Sequence, residues 1–338
     1  MLIFNDINRF YFTGMRSSAG VLVITSENAV LLIDFRYFEK AKGKVKCAKT
    51  ILCVDTYKQI FEILAKEDIK EIFLETDSIN LAVYSKLKEN LNGIEVLSDS
   101  KMQKLINTLR SVKSEEEIEY IKKAQKITDK TFAYILDKIK PGKTEKEIAL
   151  EMEFFARKNG SDGIAFDFIV VSGKNSSLPH GVPTNKPIQN GDFITMDFGA
   201  SANGYCSDMT RTVALGEITE KQRKVYDTVL KAQELALKEI KQGAVCKEID
   251  AVARNFINSN GFENCFGHGL GHSLGLEIHE SPACNTRDTS QLKAGMFMTV
   301  EPGIYLENEF GVRIEDMVLV TENGCENQTQ SPKNLIML

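Results

Sequence analysis

The chain has 338 residues, with 43% apolar and 26% charged side chains and a net charge of −5. That balance is ordinary for a globular protein and argues against a polyanionic partner such as nucleic acid, while no apolar run approaches the ~18 residues of a membrane-spanning helix. The length exceeds that at which single hydrophobic cores stop growing, so two domains are expected.

The amino terminus, Met-Leu-Ile-Phe-Asn-Asp, lacks the basic flank and apolar core of a signal peptide. Cys47, Cys53, Cys206, Cys246, Cys265, Cys284 and Cys325 are odd in number and form no Cys-x-x-Cys pair, so they read as reduced thiols of a cytoplasmic protein. Val21-Val23-Thr25 and Ala29-Leu31-Ile33 flank Ser26-Glu27-Asn28, which suits a hairpin. A strand over Ile51–Val54, a helix over Tyr57–Lys66, a strand over Glu71–Glu75, a helix over Leu81–Asn90 and a strand over Ile94–Leu97 follow. The polar Ser98-Asp99-Ser100 and the capping box Ser114/Glu117, which opens a helix running to about Ile139, place a boundary between residues 98 and 113. An α/β domain at 1–110 and a second domain at 111–338 are therefore expected.

The second domain repeats itself at an offset of 101 residues. Ile139-Lys140-x-Gly142-x-x-x-Lys146-Glu147-Ile148 recurs as Ile240-Lys241-x-Gly243-x-x-x-Lys247-Glu248-Ile249, and Phe155 with Asn159-Gly160 recurs as Phe256 with Asn260-Gly261. A duplicated helix-helix-sheet unit with a pseudo-twofold axis is the reading, with a cleft where the copies meet.

All four histidines, His180, His268, His272 and His279, fall in this domain. Asp197 alternates with aliphatic residues in Ile194-Thr195-Met196-Asp197-Phe198; if Asn203-Gly204 is a hairpin turn, residue 197 faces 210 and Asp208 lies two positions along the partner strand on the same side. Glu301 is held extended by Pro302. A continuous strand over 311–318 would put Arg313 and Glu315 on one face. Four acids meeting without counterions would be costly, at about 4 kcal/mol for two like charges ~4 Å apart at an effective dielectric near 20. Divalent cations remove that cost; a buried pair with lysine or arginine would remove it for either glutamate separately. The glycine-rich run from Gly267 to His279 is too rich in glycine for a zinc-binding helix and reads as a loop entering a strand, with a bend near Gly275 needed for His272 and His279 to share a site. Oxygen donors with one imidazole and no thiolate favour Mn²⁺ or Co²⁺, with Zn²⁺ also compatible.

These residues, in the contexts Met-Asp-Phe-Gly, Ser-Asp-Met-Thr-Arg-Thr, Gly-His-Ser-Leu-Gly, Val-Glu-Pro-Gly and Arg-Ile-Glu-Asp, resemble the dinuclear site of the creatinase and methionine aminopeptidase superfamily, and within it the Xaa-Pro aminopeptidases and Xaa-Pro dipeptidases. Phe12-Thr13-Gly14, Ser18-Ala19-Gly20-Val21 and Asp34-Phe35-Arg36-Tyr37 resemble the amino-terminal domain of that branch. The resemblance implies a pita-bread α+β catalytic domain behind an α/β domain, a peptide substrate and a homodimer. It implies that Asp197 binds one metal, His272 with Glu301 the other, and that Asp208 and Glu315 bridge them. It further implies that His180 contacts substrate near the scissile bond, that His279 polarises the carbonyl, and that His268 and Arg313 support the ligands. Creatinase lacks the metal, whereas this chain keeps every ligand.

Two cations ~3.5–4 Å apart would hold a bridging water whose pKa falls toward ~7, giving a hydroxide nucleophile. Glu301 would take its proton and pass it to the leaving nitrogen, with His279 steadying the oxyanion. The expected activity is release of the residue preceding proline. Methionine aminopeptidase is the alternative within the same chemistry, and a metal-free peptide-binding module is the alternative outside it.

Overall fold

Short apolar strands alternating with capped helices build the first unit, Met1–Leu109, in a computed structural model that describes residues 1–338; Arg110–Leu338 form the second unit. The elements of the first unit are β1 (Leu2–Ile3), α1 (Asp6–Thr13), β2 (Val21–Ile24), β3 (Ala29–Ile33), α2 (Phe35–Lys44), β4 (Lys49–Leu52), α3 (Thr56–Lys66), β5 (Glu71–Phe73), α4 (Leu81–Asn90), β6 (Glu95–Leu97) and all but the last two residues of α5 (Lys101–Ser111). The expected hairpin is β2–β3, and β4 joins β3 in parallel. Helices α1 and α2 were not expected, since their aromatic residues have only modest helix propensity. Side chains one residue ahead start them: Asn5 accepts from the Asn8 N–H and Asp34 from the Arg36 N–H.

The strand placed at Ile51–Val54 lies two residues earlier, because Val54 is 82% exposed and Asp55 already caps α3. Within the stretch 98–113 lies α5, not expected from the sequence, whose Met102 and Ile106, one helical turn apart, are buried in a core with Leu31 and Ile33.

The second unit contains α6 (Glu115–Leu136), α7 (Glu145–Lys158), β7 (Gly163–Ile164), β8 (Ile169–Ser172), β9 (Phe193–Phe198), β10 (Ala200–Ala202), β11 (Tyr205–Cys206), β12 (Met209–Ala214), α8 (Glu220–Glu239), α9 (Cys246–Ser259), β13 (Gly271–Ser273), β14 (Glu280–Cys284), β15 (Phe297–Val300), β16 (Gly303–Leu306), β17 (Phe310–Arg313), β18 (Asp316–Val320) and β19 (Cys325–Asn327). Capping boxes open α6, α7 and α8 through Ser114/Glu117, Thr144/Glu147 and Thr219/Gln222.

The internal repeat is visible in the backbone. Helices α7 and α9 keep the 101-residue offset at both ends. Gly142 and Gly243 take φ of +90° and +83°, and Gly160 and Gly261 take +95° and +87°, a left-handed conformation that glycine adopts at no steric cost. Each copy packs a helix pair on a sheet. In the first, α6 and α7 contribute Phe132 and Met152 to a core with Val170 and Met196 of β8 and β9; in the second, α8 and α9 contribute Val229 and Ala253 to a core with Met298 and Val318 of β15 and β18. The sheets run β12-β9-β8 and β14-β13-β15-β18-β19.

The expected strand over 311–318 is divided at Ile314-Glu315. β17 pairs with β16 and β18 with β15, and the Glu315 N–H instead donates to Thr210 O at 3.1 Å. The break places Glu315 on a crossing between two sheets, where its side chain leaves the ladder.

Candidate metal centre

The hairpin deduced for Asn203-Gly204 sets the register of the first pair of acids. Both turn residues have positive φ, Thr210 faces Asp197 across β12 and β9, and Asp208 immediately precedes β12. From the other copy come His272 in β13, Glu301 directly after β15 and Glu315 directly before β18. The chain ends of several strands thus deliver one carboxylate or imidazole each to a single cavity of 640 Å³. All nine side chains singled out in the sequence line it, His180, His268, His279 and Arg313 among them.

Ligand atoms of Asp208, His272 and Glu315 lie within 4.8 Å of one another. The His272 Nε2 stands 3.5 Å from Asp208 Oδ2 and 3.5 Å from Glu301 Oε1. Neither Glu301 nor Glu315 pairs with a lysine or arginine; the buried guanidinium of Arg313 goes to Asp197 instead, Nη2 donating to Oδ2 at 2.7 Å. The second oxygen of Asp197, Oδ1, and the Oδ1 of Asp208 are buried with no hydrogen-bond partner. Two carboxylate oxygens orphaned beside three further donors form a set that suits divalent cations, because a buried acceptor without a partner is costly.

The electrostatics show the same tension. Burial, then the charges of Asp197 and Glu301, push the Asp208 carboxyl well above the usual range. Burial, then Asp208 and Glu301, do the same to Glu315. Burial, reinforced by Asp197 against the opposing Arg313, raises Glu301 to about 8. Burial and neighbouring His279 lower the His272 imidazole to about 4, so it is neutral and able to ligate.

His272 and His279 meet despite their odd separation, their rings 4.4 Å apart and nearly perpendicular. The chain bends between them as expected, with the Gly275 N–H donating to Glu277 O and the β13–β14 register shifting after His272. His279 and His180 are the exposed members of the set. His268 is fixed between Gly269 O and the Tyr305 hydroxyl, each 2.8 Å from a ring nitrogen. Burial raises the Tyr305 phenol to about 12.

Three supporting residues were not picked out in the sequence. The Thr210 hydroxyl donates to Glu315 Oε2 at 2.7 Å and accepts from Arg313 Nε at 3.0 Å. Tyr305 accepts from Arg313 Nη1 at 2.8 Å. Thr299 Oγ1 accepts from the His272 N–H at 3.0 Å and donates to Glu301 Oε1 at 3.3 Å. A signal existed for Thr210, since the turn at 203–204 makes it the cross-strand neighbour of Asp197. Tyr305 is signalled by glycines around it: a Cβ at Gly303 or Gly311 would collide with its ring. Phe166, Phe168, Ile169, Val182 and Ile278 supply an apolar wall to the cavity.

The profile of metallopeptidase family M24 matches residues 119–322, and that of the creatinase/prolidase N-terminal domain matches residues 1–112. The chain is 42% identical to an uncharacterised peptidase of Bacillus subtilis, over 100% of this chain and 95% of that one. Among solved structures it is similar to an Xaa-Pro dipeptidase from Bacillus anthracis, with 40% identity, a TM-score of 0.96 and coverage of 100% of this chain and 94% of the other. It is also similar to an X-Pro aminopeptidase from Thermotoga maritima, with 38% identity, a TM-score of 0.92 and coverage of 100% and 97%.

Proposed function

The chain belongs to metallopeptidase family M24 and is a hydrolase of peptide bonds, and from that premise we propose that it cleaves the bond between an amino-terminal residue and a following proline, in peptides or in Xaa-Pro dipeptides. The observation that carries the reading is the pair of orphaned, buried oxygens on Asp197 and Asp208 beside the donors of His272 and Glu315. Proline specificity is supported by the two structural relatives, one called a dipeptidase and one an aminopeptidase, each matched across the whole of this chain.

Asp197, Asp208, His272, Glu301 and Glu315 would hold two divalent cations, Mn²⁺ or Co²⁺ by the oxygen-rich donor set, with Zn²⁺ compatible. Bound there, the cations would supply Lewis acidity and would make the attacking water more acidic. The remaining work falls to side chains. Glu301 takes the proton of the attacking water and hands it to the leaving nitrogen. His279, at the open side of the cavity, donates to the carbonyl oxygen as charge builds on it, and His180 contacts the substrate near the scissile bond. Arg313, fixed by Thr210, Tyr305 and the Pro179 carbonyl, orients Asp197, and His268 bonds the same Tyr305 hydroxyl. The apolar wall takes the pyrrolidine ring and excludes water. The odd number of cysteines with no Cys-x-x-Cys pair supports a cytoplasmic setting, and the family resemblance supports a homodimer.

Metal-loaded protein assayed on an Xaa-Pro dipeptide, an Xaa-Pro-Xaa tripeptide and Met-Ala-Ser tests the reading. Cleavage of either proline peptide is expected. Cleavage of Met-Ala-Ser alone would make the chain a methionine aminopeptidase, and no cleavage with no bound metal would make it a binding module.

A further inference from the structure

The Glu145 side chain is fully buried at the first residue of α7 and does not line the cavity. Its carboxylate accepts six hydrogen bonds, all from the two ends of one segment. At the near end, Ser172 donates to Oε1 from its N–H at 2.7 Å and its hydroxyl at 2.9 Å, and Asn175 Nδ2 reaches Oε1 at 3.1 Å and Oε2 at 3.2 Å. At the far end, Thr184 donates to Oε2 from its N–H at 3.0 Å and its hydroxyl at 2.6 Å. Between those ends lies the turn carrying Pro179 and His180. Its middle is tied to the metal-site strands, by Arg313 Nη1 to Pro179 O at 3.1 Å and by the Gly311 N–H to Ser176 Oγ at 2.9 Å.

The internal repeat separates what the backbone needs from what this segment needs. Position 145 corresponds to Cys246, the first residue of α9. In both copies this residue's N–H donates to the carbonyl of a returning segment, Glu145 to Lys186 O at 3.2 Å and Cys246 to Ser290 O at 3.0 Å. The backbone arrangement therefore forms with a thiol as well as with a carboxylate. What differs is the connection. In the first copy residues 173–183 lie between β8 and the returning segment, whereas in the second only 285–287 lie between β14 and its counterpart. The carboxylate occurs in the copy with the long connection, whose conformational entropy must be offset if it is to hold one shape.

We infer that Glu145 is a positioning residue, its buried carboxylate clamping both ends of the 172–184 segment so that His180 is held at the cavity mouth. The inference rests on the proposed role of His180 as a substrate contact. Two measurements on the full chain separate the clamp from that role. In metal-free protein, Glu145→Gln, which keeps the size but turns one acceptor into a donor, speeds hydrogen exchange of amides 173–184 at least about tenfold while those in the middle of α7 are unchanged. In metal-loaded protein the same variant lowers kcat/KM on an Xaa-Pro dipeptide about tenfold, and less than about twofold when His180→Ala is already present, because both act through one contact.

Thr184→Val, which removes one donor from the exposed end, gives the same signs at smaller size and serves where Glu145→Gln does not fold. Unchanged exchange in the variants overturns the clamp. Faster exchange with equal kinetic losses in both backgrounds overturns the link to His180. A wild-type protein that cleaves no proline peptide defeats the functional reading, while the exchange result still decides the clamp.

Discussion

Arg313 neutralises one oxygen of Asp197, at 2.7 Å, and leaves the other buried without a partner. The guanidinium sits at the centre of a cluster that also includes Thr210 and Tyr305, so it stabilises the acids only in part and leaves Asp197 Oδ1 free to ligate. Arg313→Met removes the one cation among these acids. Breaking a buried pair in this way costs about 3–5 kcal/mol. Urea unfolding of metal-free protein should show a loss of that order and a smaller loss once Mn²⁺ is bound; equal small losses in both states would contradict the assignment.

The raised carboxyls make a pH prediction for the metal-free protein. A carboxyl whose folded pKa lies above its unfolded value holds its proton more tightly when folded, so it favours the folded state fully below the unfolded pKa and less as pH rises toward the folded one. For Glu301 that window runs from 4.5 to about 8, and Asp208 and Glu315 act in the same direction. Metal-free protein should therefore lose stability across this window in denaturant titrations at successive pH values. Metal-loaded protein should not, and binding Mn²⁺ at neutral pH should release protons, measurable by calorimetry in buffers of different ionisation enthalpy.

Glu301→Gln preserves size and removes the proton acceptor. A general base contributes about 10²–10⁴-fold to rate, so kcat should fall by at least about 100-fold while KM changes little. Steady-state kinetics on an Xaa-Pro dipeptide, with metal content measured on the same sample, checks this. A rise in KM with kcat preserved would remove Glu301 from proton transfer.

A second buried cluster supports the turn that carries His279. Glu280 is bound by Lys113 at 3.1 Å and by Arg110. Burial alone would raise its pKa, but those two cations outweigh burial and hold it low. The stability this contributes is present above the unfolded value of 4.5 and is lost as pH falls through the lower folded value. Lys113→Met should move the acid-unfolding midpoint to higher pH and cost about 1–3 kcal/mol at neutral pH; an unmoved midpoint would show that Arg110 alone suffices.

Much of the site could be read from the sequence because its signals are local. The Asn203-Gly204 turn fixes which residue faces Asp197, and the glycine-rich run before His272 rules out a helix. Capping boxes at Ser114, Thr144 and Thr219 mark helix starts by side chains adjacent in sequence. What could not be read depends on tertiary contacts. The break at Ile314-Glu315 arises because Glu315 bonds Thr210, 105 positions away, and nothing in Arg-Ile-Glu-Asp announces it. Helix α5 was not expected, because only its burial against β3 makes Met102 and Ile106 informative. Nothing in the sequence separates Glu145 from an ordinary first-turn acid, which favours a helix dipole wherever it points.

Asp197, Asp208, His272, Glu301 and Glu315 are proposed to bind two cations together. Crystals grown with Mn²⁺ and measured for anomalous scattering test it most directly. Two peaks within ligand distance of these five side chains are predicted, both lost in Asp208→Asn crystals; no peak in the cavity, or peaks elsewhere on the chain, would contradict it.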